Sequence, residues 1–182
     1  MMPATLAFSK YAGALPESQT LAISARAKAM KAEGIDVAPF AAGEPDFDTP
    51  QHVKAAGLKA IEDDRTRYAP AAGIPALREA VAAKFRANGL EGLTPDRTVI
   101  TAGAKAVLFQ ALEVLLQEGD EVLVPTPAWL SYPQMIQAVG GRTVFVETSP
   151  ADGYVIDPEK IRTAVTPRTR AIILNSPGNP SG

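Results

Sequence analysis

Apolar residues change their spacing partway along the chain. Up to about residue 94 they recur at helical intervals. Ile23, Ala27 and Met30 fall at i, i+4 and i+7 and predict a helix over 20–31, closed by Gly34. A second helix is predicted to about residue 63, with Asp48 or Thr49 as its cap and Pro50 at its first position. Leu77, Val81 and Phe85 mark one face of a third, ending near Gly89. Residues 37–40 read as a short strand, 42–49 and 68–73 as loops, and 1–19 as an extended arm or a disordered lead.

After Thr94 short apolar runs alternate with helical patterns. Strands are predicted at 98–101, 121–124, 143–147 and 170–174. Helices are predicted at 104–117 and 129–139, and a further one starts at Pro158 behind an Asp157 cap. In the first of these, Val107, Leu108, Ala111, Leu112, Leu115 and Leu116 form the expected buried side. Strands alternating with helices predict an α/β fold, a three-layer α/β/α sandwich around a mostly parallel sheet. The chain stops at Gly182, directly after a strand and a loop, where a helix is expected to follow. Truncation is therefore expected on physical grounds, with an open sheet edge that favours aggregation.

Composition narrows the function classes. Hydrophobic residues make up 46% and charged residues 21%, as in ordinary globular domains. A net charge of −2 gives no electrostatic reason for a nucleic-acid or membrane partner. No cysteine occurs, which excludes disulfides and thiolate chemistry and suits a cytoplasmic location. His52 is the sole histidine, so no metal site is expected. There is no G-x-S-x-G elbow, Walker A loop or G-x-G-x-x-G. Asp46 and Asp48 are read as turn and cap residues rather than as a catalytic pair.

Ligands of open α/β sheets bind beyond the carboxyl ends of the strands, and three loops lie there. Gly103 and Ala104 leave room for an anion at a helix start, where amides and dipole favour it. Small residues at such a turn also serve structure alone. Trp129, the only tryptophan, follows two prolines and could stack on a planar ring, or pack as core. Asn179, between prolines, could offer an amide hydrogen bond, or form a turn.

Five blocks, AAGEPDFDTP, RYAPAAGIPALREA, TAGAKAVL, EGDEVLVPTPAWLSYP and NSPGNPSG, resemble in order and spacing those of the fold-type I, class I aminotransferases. The resemblance covers nearly the whole chain after the arm and is nearest to the bacterial aspartate and prephenate aminotransferases. It implies a fold built around pyridoxal 5'-phosphate and transamination between an amino acid and a 2-oxo acid, in a homodimer. It implies that 1–48 are the arm and part of a small domain, and that 49–182 begin the large cofactor-binding domain.

By the same resemblance, Gly103, Ala104 and Lys105 line the cofactor phosphate, Trp129 stacks on the pyridine ring and Asn179 bonds the ring's phenolic oxygen. Trp129 and Asn179 also border the substrate, whose carboxylate meets the backbone of Gly43. Tyr68 resembles the tyrosine that reaches across a dimer to the partner's phosphate. Ala104, Ala128, Gly178 and Ser181 depart mildly from the family pattern. The lysine through which family members hold the cofactor as a Schiff base lies later in their chains. No catalytic residue is therefore expected within 1–182, and this fragment by itself is expected to be inactive. A carbon–sulfur lyase of the same fold and a non-catalytic cofactor-binding fragment remain the alternatives.

Overall fold

The structure, a computed structural model, describes residues 7–40, 43 and 45–182. In chain order its elements are α1 (Lys10–Ala14), α2 (Gln19–Ala32), α3 (Gln51–Glu62), α4 (Pro75–Ala87) and α5 (Ala104–Leu115). Strand β1 (Glu121–Thr126), α6 (Ser131–Ala138), β2 (Arg142–Glu147), α7 (Pro158–Ala164) and β3 (Thr169–Ile172) follow. They fall into two compact units. One joins the segment up to Pro16 with Ala102–Gly182, and the other is Glu17–Thr101.

The unit Glu17–Thr101 holds α2, α3 and α4. Ser18 caps α2 by accepting from the Leu21 amide. The predicted cap of α3 is shifted: Pro50 itself is the N-cap, and neither Asp48 nor Thr49 bonds the helix start. The Asp48 carboxylate instead lies 3.5 Å from the Lys54 ammonium.

Two predicted strands are not strands. Residues 37–40 form no strand, and Pro39 has no amide to donate to a ladder. Residues 98–101 also stay outside any sheet, because their polar groups are used locally. The Ile100 amide donates to Ala72 O at 3.0 Å, and Arg78 Nε donates to Thr98 O at 2.9 Å. Ile100 also presses on Gly73, where a Cβ would fall 2.6 Å from Ile100 Cγ1 at a φ of +98°.

The other unit carries the sheet, which has three strands rather than four, in the order β2-β1-β3 and wholly parallel. Helices surround it, an α/β arrangement. Parallel neighbours need crossovers, which α6 and α7 supply. The core lies where α5 and α6 meet one face of β1. Leu112 and Leu116 pack there with Val122, Val124, Tyr132, Met135 and Ile136. On α5 the face that packs is Leu108, Leu112 and Leu116 with Phe109, whereas Val107, Ala111 and Leu115, expected inside, are exposed. A helix apolar on more than one side cannot bury every side against one sheet face. Helix α6 begins at Ser131, two residues later than predicted, so Trp129 sits in the loop before it.

The arm is not simply extended. Ser9 caps α1 through the Ala12 amide, and α1 docks on α6. Lys10 Nζ lies 2.6 Å from Glu118 Oε1, and Gln137 Nε2 donates to Ala14 O at 3.4 Å. Residues 1–6 of the arm, and Ala42 and Glu44 of the AGEPDFDT loop, lie outside the described residues. Among the described residues no helix is long and apolar enough to cross a membrane.

Candidate functional site

Because the strands are parallel, their carboxyl ends share one edge, and the order β2-β1-β3 reverses direction at β1. Such reversals open a crevice between the loops that leave the two strands. A cleft is found there, between the loop after β1 and the loop after β3. Thr126, Pro127 and Ala128 line one side, and Asn175, Gly178 and Asn179 the other. Its volume is about 50 Å³, which suits a substituent rather than a whole ligand.

Each loop is held by polar contacts that its sequence supplies. Thr148 Oγ1 donates to Thr126 O at 2.6 Å, which ties the end of β1 to the residue after β2. Asn175 Oδ1 accepts the Asn179 amide at 3.0 Å, and Gly182 N donates to Gly178 O at 2.8 Å. The peptide bonds before Pro127, Pro177 and Pro180 are cis.

Helix α5 opens at Gly103, its N-cap, with φ 88° and ψ 165°. A left-handed φ suits glycine, and nothing lies within 4 Å of the position a Cβ would take. The amides of Ala104, Lys105 and Ala106 have no carbonyl four residues back within the helix, so the opening favours an anion. Lys105 Nζ lies over the Trp129 ring, 4.7 Å from its centroid. Tyr132 meets the same ring edge-on, with centroids 5.4 Å apart and planes at 90°.

The structure thus brings Gly103, Ala104, Lys105 and Trp129 together, and joins Asn179 to the loop of Trp129 through the cleft. An anion-favouring helix start, an aromatic face and a fixed amide suit a planar ring that carries a phosphate. Gly43 and Tyr68 belong to the other unit. Gly43 has open space around it, and Tyr68 is fully exposed beside Thr66, Arg67 and Ala69.

Sequence reasoning missed Thr148, Tyr154 and Ile156, which also line the cleft. Tyr154 holds a φ of 58°, uncommon for a bulky residue, and no sequence pattern marks it. Tyr132 was readable, since it stands three residues after Trp129.

Comparison with known proteins identifies the family. A family model described as aminotransferase class I and II matches residues 35–182. The chain is 53% identical over 166 residues to a probable aspartate/prephenate aminotransferase of Thermus aquaticus, covering 91% of this chain and 43% of that protein. It is 48% identical to the aspartate/prephenate aminotransferase of Thermus thermophilus, covering 96% of this chain and 45% of the relative. The solved structure of aspartate aminotransferase from Thermus thermophilus with maleate superposes with a TM-score of 0.92 at 48% identity. That match covers 97% of this chain and 46% of the solved one. The chain therefore spans less than half the length of these relatives. A match over 35–182, two relatives near half identity and a superposition across nearly all of the chain leave one assignment: the chain belongs to the class I and II aminotransferases.

Proposed function

We propose that the protein carrying this chain transfers an amino group between an amino acid of the aspartate type and a 2-oxo acid, with pyridoxal phosphate as cofactor. Family membership and the aspartate and aspartate/prephenate aminotransferase names of the relatives support this reading. The observation that carries it is the meeting of Lys105 with Trp129 at the opening of α5, beside the cleft of Asn179. Pyridoxal phosphate, when bound, supplies an electron sink for the substrate's α-carbon.

The chain's own residues bind and orient. Gly103, Ala104 and Lys105 take the phosphate, through first-turn amides, the helix dipole and the Lys105 charge. Trp129 gives the pyridine ring a flat apolar face. Asn179 donates its side-chain amide to the ring's phenolic oxygen, and its backbone bond to Asn175 fixes where that amide sits. Trp129 and Asn179 also border the substrate, whose carboxylate takes the backbone of Gly43. Tyr68 reaches the phosphate of a partner subunit in a homodimer. The domain division at residue 48, between arm with small domain and large domain, belongs to the same reading. So does a cytoplasmic location. No catalytic group is assigned within 1–182, since Lys105, the lysine of the site loops, is placed at the phosphate end.

The test uses the intact protein. Aspartate and a 2-oxo acid should give the matching amino acid in a cofactor-dependent reaction, and Asn179→Ala and Trp129→Ala should weaken cofactor binding. Release of a thiol, pyruvate and ammonia from cysteine conjugates, without transamination of aspartate, would overturn the reading in favour of a lyase.

A further inference from the structure

The connection from β2 to α7 does not stay on its own side of the sheet. Strand β2 lies beside β1 on the side away from β3, yet Thr148, Tyr154 and Ile156 line the cleft between the loops that leave β1 and β3. The connection therefore crosses the carboxyl end of β1. Thr148 pins the crossing, since its amide and its hydroxyl both donate to Thr126 O, at 3.2 and 2.6 Å. Lys160 Nζ, donating to Glu147 O at 3.0 Å, ties the first turn of α7 to the end of β2.

The crossing contains a turn that is closed from within. Ser149 Oγ accepts the Ala151 amide at 3.1 Å, and Ser149 O accepts the Tyr154 amide at 2.8 Å. Two successive residues of this turn take left-handed backbone, Gly153 at a φ of 62° and Tyr154 at 58°. Glycine adopts that conformation freely, whereas a bulky residue there is strained. Among the described residues the other non-glycine with a positive φ is Asp64, whose short polar side chain tolerates it. Strain of this kind persists where the surroundings hold it, and it clusters at ligand sites. What tyrosine supplies at 154, and glycine does not, is a ring at the cleft. None of these contacts depends on how much of the surface is open to solvent.

We infer that Tyr154 is a positioning residue of the candidate site, a spacer whose ring keeps the turn 175–181 at its distance from the loop after β1. Tyr154 shares a cleft of only about 50 Å³ with Asn175, Gly178, Asn179 and Ser181, so side chains on one wall limit the other. The bond from the Asn179 amide to Asn175 Oδ1 makes the turn move as one piece. Displacing it carries the Asn179 side chain away from the phenolic oxygen it is assigned. That consequence rests on the function proposed above; the crossing and its strain do not.

The test uses the intact protein loaded with pyridoxal phosphate and follows the cofactor's absorbance against pH. A donor on the phenolic oxygen favours its ionised form, so losing that donor moves the transition to higher pH. Asn179→Ala is expected to raise the midpoint by ~1 pH unit. Tyr154→Ala and Tyr154→Gly are expected to raise it by at least ~0.5 unit, and Tyr154→Phe, which keeps the ring, to leave it in place. Denaturant midpoints of the same proteins separate spacing from loosening. Tyr154→Gly relieves the backbone and should unfold at higher denaturant than Tyr154→Ala. Equal pH shifts in these two variants despite unequal stability support the spacer. A larger shift in the less stable Tyr154→Ala, equal stabilities, or no shift in either overturns it. Should Tyr154→Ala fail to fold, Tyr154→Gly against Tyr154→Phe decides: a shift in the first alone supports the spacer, and equal midpoints overturn it. If Asn179→Ala itself leaves the midpoint unmoved, the role given to Asn179 above fails and the spacer's effect with it. If Asn179→Ala moves it and the Tyr154 variants do not, the spacer alone fails.

Discussion

The ammonium of Lys105 stands 4.7 Å above the ring centroid of Trp129. One residue opens a helix and the other follows a strand, so this contact ties two loops of the candidate site to each other. Removing the cation with Lys105→Met should weaken cofactor binding by about 1 kcal/mol, roughly fivefold in dissociation constant. Titration of the intact parent and variant with the cofactor, followed by the cofactor's own absorbance, measures the difference. An unchanged affinity would remove Lys105 from the phosphate end.

The packing of α5 separates apolar residues that do different things. Leu112 is buried in the core and Leu115 is exposed. Leu112→Ala should destabilise the chain by about 2–5 kcal/mol, and Leu115→Ala by about 0.5 kcal/mol or less. Denaturant midpoints compare them. Equal losses would mean that both sides of α5 are covered.

Gly73 tests the segment at 98–101. An alanine there meets Ile100 and must also adopt a φ of +98°. Gly73→Ala should cost at least ~2 kcal/mol, from backbone strain and overpacking together. Adding Ile100→Gly, which removes both Cγ1 and the Cβ that would lie 2.7 Å away, should recover the packing part and leave the strain, which a double-mutant cycle in urea resolves.

Glu121 gives the chain an acid limb. The Arg142 guanidinium first, then the Thr166 hydroxyl and the Arg168 charge, hold its carboxyl below the ordinary 4.5. A carboxylate with a lowered folded value contributes its full stability above the unfolded value. That contribution is lost as pH falls from about 4.5 through the folded value. Denaturant midpoints measured from neutral to acid pH should therefore decline in this window, and Glu121→Gln should flatten the decline. A variant with the same acid limb as the parent would show that Glu121 does not supply it.

Much of this was legible before any coordinates. Asp157 and Pro158 announced α7, and the periodic positions 108, 112 and 116 gave the core face of α5. Loops bearing Gly103, Trp129 and Asn179 were recognisable because glycine, tryptophan and proline restrict what a loop can do. Pairing was not legible. Residues 98–101 look like a strand, yet their polar groups go to Ala72 and Arg78, and nothing local in the sequence says so. Pro39 removes a donor from 37–40, a signal that propensity understates. The line between buried and exposed apolar residues on α5 depends on which surface reaches them, and spacing does not carry that. The cleft residues Thr148 and Tyr154 come from turns whose path depends on the sheet already being formed.

The strand order also carries an expectation about timing. The side chains that bridge β1 to β2 are 21 residues apart, as in Arg142 with Glu121, whereas the Arg170–Asp120 bridge from β3 spans 50. Longer closures lose more chain entropy before any contact rewards them, so β1 is expected to meet β2 before it meets β3. The loop of Asn175 and Asn179 arrives with it. On this expectation the crevice forms after the β1–β2 pair, and a ligand that holds it should chiefly lengthen the lifetime of the folded molecule while leaving the early collapse at its own pace.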